Sequence, residues 1–273
     1  MANEYLSGFS LEGLVVPTKA ATIYHAQETS LFLGGLLVPV VNVPAGSQSA
    51  QVPMLNSIGA ITAISDDSAN SDVAASVITD TTATINVDLY AARSVVRDLG
   101  GIDPQELGRV LGMAVAKGFD TAVLTAMATT LTASTSDSLP LSADAIFDAV
   151  AQIRGAGEMG QLNAVVSTTA AATLMKSLFA NGNFAGGDFQ TEALRNGFIG
   201  SFAGVNMFQS ALVPAAHEGF IFGQDAARLA MAKGVDIEIQ RRAAAVGNDV
   251  VASIHGGAGI VDAARGVQLI NVA

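Results

Sequence analysis

Cysteine is absent from this 273-residue chain, and so is tryptophan. The first absence excludes disulfides, thiolate metal sites and cysteine nucleophiles together, so folding must rest on packing and interfaces alone. Charge is scarce as well. Only 14% of residues are charged, and 13 bases face 24 acids for a net charge of −11. The bases are scattered, with only Arg241 and Arg242 adjacent. Clustered bases supply most non-specific affinity for DNA, so tight intrinsic nucleic-acid binding is not expected. Long apolar runs are missing too. The best candidate, Leu31 to Val41, is interrupted by Gly34, Gly35 and Pro39, well short of the roughly 20 apolar residues that a helical membrane span needs. Glu4 stands where a signal peptide would carry positive charge, and no apolar segment follows promptly, so synthesis and function inside a cell are the expectation.

What is present is apolar. Half of the residues are hydrophobic and the mean hydropathy is +0.45, far from the disordered class and high for a freely soluble monomer. Large subunit interfaces resemble a domain core cut in half, so an obligate oligomer explains the excess. The chain is long enough for one large domain or two intimate ones.

Along the chain, residues 1–45 read as an N-terminal arm that begins without clear structure and becomes apolar. Pro39 and Pro44 bracket Val40-Val41-Asn42-Val43, which suits an edge strand. Residues 46–98 read as an extended arm without a core of its own. Strand-like runs at Gln51 to Leu55 and Thr84 to Tyr90 flank a long loop that carries Asp66, Asp67, Asp72 and Asp80 and no base. A structureless loop of that length is uncommon inside a compact domain, so its burial is expected on another copy of the chain. Arg93 and Arg97, four apart in a strand-like segment, point to one face.

A long helix is expected from Pro104 to about Leu131, with Asp103 as N-cap, Pro104 in the first position and Glu106 completing a capping box. Its length would be about 40 Å, and Gly108, Gly112 and Gly118 would admit another backbone. A second helix, capped by Ser142, runs from Ala143 to about Arg154 with Ile146, Phe147, Val150 and Ile153 on one side. A buried strand at Leu162 to Ser167, a helix from Thr169 to Phe179 and a Gly/Asn loop at 181–188 follow. Strand-like pieces then recur at Gly204–Gln209, Gly219–Phe222, Val235–Gln240, Val250–His255 and Val267–Val272. This order argues for an α+β fold rather than a doubly wound sheet; neither an internal repeat nor a clean linker stands out.

Motifs that carry chemistry are few. Gly155-x-Gly157-x-x-Gly160 has the spacing of a dinucleotide fingerprint, but it follows a helix and precedes a strand, the wrong context, and reads as a helix stop. His25, His217 and His255 lie far apart without zinc-helix spacing. The acids Asp66, Asp67, Asp72 and Asp80 lack the glycine and closing glutamate of a calcium loop. No Walker sequence or serine elbow occurs. No catalytic, cofactor-binding or metal residue is therefore expected, and the chain is not expected to be an enzyme.

The order of elements resembles the major capsid proteins of tailed bacteriophages, with the Hong Kong 97-like fold. The likeness lies in an N-terminal arm, a long extended loop, and a long spine helix that starts at Asp103-Pro104-Gln105-Glu106 and has Gly118-Phe119-Asp120 midway. Gly197-Phe198-Ile199-Gly200-Ser201-Phe202-Ala203-Gly204-Val205 looks like the family's stretch ahead of an axial-domain strand, with Ser210-Ala211-Leu212-Val213-Pro214 as the connection after it. Ile254-His255-Gly256-Gly257-Ala258 and the apolar C-terminal strand are similar to the family's ending.

The resemblance implies an N-terminal arm at 1–45, an extended loop at 46–98, a peripheral domain at 99–138 and 226–257, and an axial domain at 139–225 and 258–273. It implies hexamers and pentamers of the chain in an icosahedral shell around double-stranded DNA, contacted weakly and without sequence specificity. Portal, scaffolding or protease, and cement proteins would be further partners, with no membrane, and with assembly in the host cytoplasm. Asp66, Asp67, Asp72, Asp80, Arg93, Arg97, Arg241 and Arg242 would serve the assembly interface, the last two in a hairpin where capsomers meet. The extended loop has no lysine, so the Lys–Asn cross-link known in part of the family is not expected through it. The alternatives are an encapsulin-type compartment shell and, from other classes, a soluble α+β enzyme or a phage tail-tube protein.

Overall fold

The computed structural model describes residues 11–44, 46–55, 80–97, 103–133, 141–180 and 200–270. Asp103 opens its longest element. The Asp103 carboxylate accepts from the Gln105 amide at 3.0 Å, Pro104 occupies the first turn, and helix α2 runs Pro104–Thr130. The capping box forms only by half, because Glu106 turns away from the cap to Arg109, 2.8 Å from its Nε. Leu107, Leu111, Val115, Phe119, Val123, Leu124 and Met127 bury one side of α2 at helical spacing. By length and composition α2 could cross a membrane, but half of its apolar stretch is buried within this fold.

The expectation for residues 1–45 is overturned in part: helix α1 spans Leu11–Thr29, with Pro17 inside it. Its inner stripe is Thr18, Thr22 and Ala26, all fully buried. They lie against Gly108 and Gly112 of α2, where a Cβ would come within 2.6 Å of the Thr18 carbonyl and 2.5 Å of the Thr22 carbonyl. Thr22 Oγ1 donates both to the Thr18 carbonyl at 2.8 Å and across to the Gly108 carbonyl at 3.1 Å. Two of the three expected close-approach glycines thus do that work, while Gly118 faces open space. The apolar run after α1 makes turns and packs Phe32, Leu37 and Val38 into the core.

Strand β1 (Val40–Asn42) lies parallel on an edge of the first sheet, as the two prolines suggest. Strands β2 (Ser49–Leu55) and β3 (Asp80–Asn86) pair antiparallel as a separate two-stranded arm. The run expected at Thr84 to Tyr90 is two strands, not one. The chain breaks at Val87, whose amide donates to the Gln48 carbonyl at 2.9 Å, and re-enters the body as β4 (Asp88–Arg97).

The second half of the body is an α/β layer. It contains β5 (Thr132–Ala133), α3 (Ala143–Gly155), β6 (Leu162–Ser167), α4 (Thr168–Ala180), β7 (Ser201–Phe202), β8 (Val205–Ser210), β9 (His217–Gly223) and β12 (Gly266–Ile270). Strands β10 (Ala227–Arg242) and β11 (Gly247–Ile260) belong to the first sheet, in the order β1-β10-β11-β4; the second sheet has the order β5-β12-β9-β6-β8-β7. The hairpin between β7 and β8 turns on Ala203 and Gly204, both with positive φ, the geometry that a two-residue turn requires. Ser142 caps α3 by accepting from the Ala145 amide at 3.2 Å. Phe147, expected on the inner side of α3, is about half exposed and leans on Phe202 at 5.5 Å. After α3, Gly157 takes φ +90 and the chain enters β6, so the triple-glycine segment is a helix stop.

Two hydrophobic clusters follow the two sheets. One joins α2 to β10, β11 and the inner face of β4, with Phe220 and Phe222 completing it. The other lies between the second sheet and helices α3 and α4.

Candidate assembly interface

The first sheet has two unlike faces. Val96, Val250, Ala252, Ile254 and Ile237 are buried toward α2. Residues at alternate positions project the other way, and that outer face carries the arm at one end and a cluster of bases at the other.

At the arm end, β11 is nearly bare of side chains. A Cβ on Gly257 would fall 1.9 Å from the Asn86 carbonyl oxygen, and one on Gly259 would fall 2.5 Å from Ile85 Cγ1. The root of the arm therefore lies directly on strand backbone, and a satellite core of Val43, Ala50, Ile85 and Ala230 seals it. The expectation of an arm wholly without a core is corrected here: its root is buried on the body, with Ile85 only 1% exposed.

At the other end, register gathers bases that the sequence scatters. Arg97, Gly247 and Arg242 form one row across β4, β11 and β10, and Val95, Asp249 and Gln240 form the next row on that face. Arg93 Nε donates to Asp249 Oδ1 at 2.7 Å, and a second guanidinium nitrogen reaches the other carboxylate oxygen. That hydrogen bond, with the charges of Arg93 and Arg242, holds the Asp249 carboxyl below its ordinary value. Arg241, paired with Asn248, falls on the opposite side of the hairpin from Arg242. The four bases singled out by sequence thus meet around one hairpin tip, and Asp249 is the member that the sequence reading missed. Of the four acids, Asp80 opens β3 opposite Leu55, whereas Asp66, Asp67 and Asp72 lie outside the described residues.

A second charged group, also missed, sits where the two sheets join. Arg265 donates from Nε to Asp262 at 3.0 Å and from a terminal nitrogen to Asp225 at 3.2 Å, and it lies 3.5 Å from Glu158. Arg228 pairs with Asp225 at 2.8 Å. A third, Asp236, bridges Lys19 of α1 and Lys233 of β10, each at 2.7 Å, and its carboxyl is strongly depressed by those two partners. The (i, i+3) spacings Asp225–Arg228 and Asp262–Arg265 were the available signal.

His25 contacts Glu28, His217 contacts Gln268, and among the described residues no cluster of His and acids could hold a metal ion. The loop at 181–188 lies outside the described residues.

No family model matches the chain, and no curated protein matches it. Solved structures do. The capsid of cyanophage P-SCSP1u aligns with a TM-score of 0.61 at 17% identity, covering 85% of this chain and 85% of that one. The mature capsid of bacteriophage PhiM1 gives 0.64 at 18% identity, covering 89% and 88%. The virus-like particle from Pyrococcus furiosus gives 0.65 at 13% identity, covering 92% and 97%. The chain has the α+β, Hong Kong 97-like fold of tailed-phage major capsid proteins.

Proposed function

We propose that this chain is a structural shell protein, the major capsid protein of a tailed phage, and that it acts by self-association rather than by catalysis. The observation that carries the reading is the two-way coverage of capsid subunits, at 85% or more of each chain, by a fold whose arm leaves the body at a glycine-floored seat. In this reading the peripheral domain is the part around α2, β10 and β11, the axial domain is the part around the second sheet, and hexamers and pentamers close an icosahedral head around double-stranded DNA. The acids Asp66, Asp67, Asp72 and Asp80 of one copy pair with Arg97, Arg242 and their neighbours on the next. Portal, scaffolding or protease, and cement proteins would complete the particle in the host cytoplasm.

The test is negative-stain electron microscopy of the purified chain. Closed shells tens of nanometres across are expected; small uniform particles at every concentration and salt would overturn the proposal. The likeness to the Pyrococcus furiosus virus-like particle supports an encapsulin-type shell as the second reading. Particles isolated from the native source separate the two: packaged DNA supports the capsid, and a co-purifying cargo enzyme supports the compartment.

A further inference from the structure

The same tetrapeptide, Asp-Ala-Ala-Arg, occurs twice, at 225–228 and at 262–265. Each copy lies on a connection between the two sheets, the first from β9 to β10 and the second from β11 to β12. The copies touch. The amides of Val261 and Asp262 both donate to the Ala226 carbonyl, at 2.8 and 3.2 Å. Each arginine pairs with the aspartate of its own turn, and Arg265 crosses to the other turn's Asp225 at 3.2 Å. Glu158, from the loop before β6, anchors the group in the second layer: its side chain is 6% exposed, and it accepts from the Gly160 amide at 2.7 Å.

Across a cleft of about 190 Å³ from these turns stand Val52, Pro53 and Met54 of β2. The cleft is no anion site, because carboxylates and backbone carbonyls already occupy the guanidinium groups of Arg228 and Arg265. Its significance is mechanical. The Arg265–Asp225 pair and the two amides on the Ala226 carbonyl fasten the turns to each other at the joint of the sheets, so a change in the angle between the sheets would strain them. The arm, seated on Gly257 and Gly259 just ahead of the second turn, forms the facing wall. We propose that the twin turns are a latch that sets the arm's pose and the angle between the sheets together.

Amide hydrogen exchange on the full-length chain tests this, whether or not shells form. Arg265→Met should speed exchange in the two connections and in the arm strands β2 and β3 alike, on the order of tenfold, while β6 is unchanged. Coupling is reciprocal, so Met54→Ser, made on the arm alone, should speed exchange across 260–266. If Arg265→Met loosens the whole fold, Met54→Ser carries the decision. Exchange that rises only on the mutated side of the cleft in both variants would overturn the proposal.

Discussion

Asp120 is a carboxylate set in the wall of the main core, 3% exposed on the inner side of the spine helix. It accepts from Ser30 Oγ at 2.5 Å and from the Leu31 amide at 3.0 Å. The same Ser30 oxygen accepts from the Phe32 and Leu33 amides at 3.2 and 3.0 Å, so one acid organises the turn that follows α1. Burial raises its pKa above the ordinary value, with the Ser30 and Leu31 donors opposing. A raised folded-state pKa means that the linked stabilisation is complete below the unfolded value and is lost as pH rises through the folded one. Wild-type subunits should therefore lose stability relative to Asp120→Asn as pH rises from acid toward neutral. Asp120→Ala should cost about 1–3 kcal/mol by stranding the Ser30 and Leu31 donors. Denaturant midpoints of unassembled subunits across that pH range check both. A wild-type-minus-Asn difference that does not change with pH would refute the linkage.

At the scale of elements, what could be read from sequence depended on which residue type makes the contact. Helix α2 was legible because Asp103 and Pro104 mark its start and large apolar residues recur along one side. Helix α1 was not, because its contact stripe is Thr18, Thr22 and Ala26, small residues that bury well only against the glycines of α2. Strand β10 was read as Val235 to Gln240 but is 16 residues long; irregular register between Met231 and Asp236 interrupts its alternation. The twin Asp-Ala-Ala-Arg turns were visible as text, yet their meaning depends on the two connections meeting in space. The hairpin tip shows the same limit, since register alone brings Arg97 level with Arg242. That geometry also sorts the bases. Arg93 already serves Asp249 within the chain, whereas the Arg97 side chain has no ion-pair partner among the described residues. Reversing Arg97 and Arg242 together to Glu places like charges beside Asp249 and, on the proposed pairing, would set acids against the neighbour's acids. Shell yield should fall at least tenfold while circular dichroism of the subunit is unchanged, and raised salt should restore part of the yield by screening. Normal shells from the double variant would remove this tip from the interface.

For the whole molecule, the question is where the arm finds its burial. Its root is satisfied within the chain, through Ile85 and the glycine floor of β11. The rest, by composition, is acidic and free of bases from Asn56 to Ala83. A chain with 50% apolar residues and little charge would bury that segment on a second copy. The structure also refines the deletion that tests this. Asp80–Asn86 is β3, whose pairing with β2 holds the arm root together, so the cut should remove 57–79 and spare the hairpin. Joined by a short Gly/Ser bridge, such a chain should keep its melting temperature within a few degrees, because the β2–β3 pairing and the seat of the arm root stay intact. Its closed shells should disappear, leaving free subunits or small rings in sedimentation. Loss of folding would show that the segment belongs to the subunit's own core, and intact shells would show that the copies join without it. Only a folded subunit that no longer closes a shell makes this loop the intermolecular clasp.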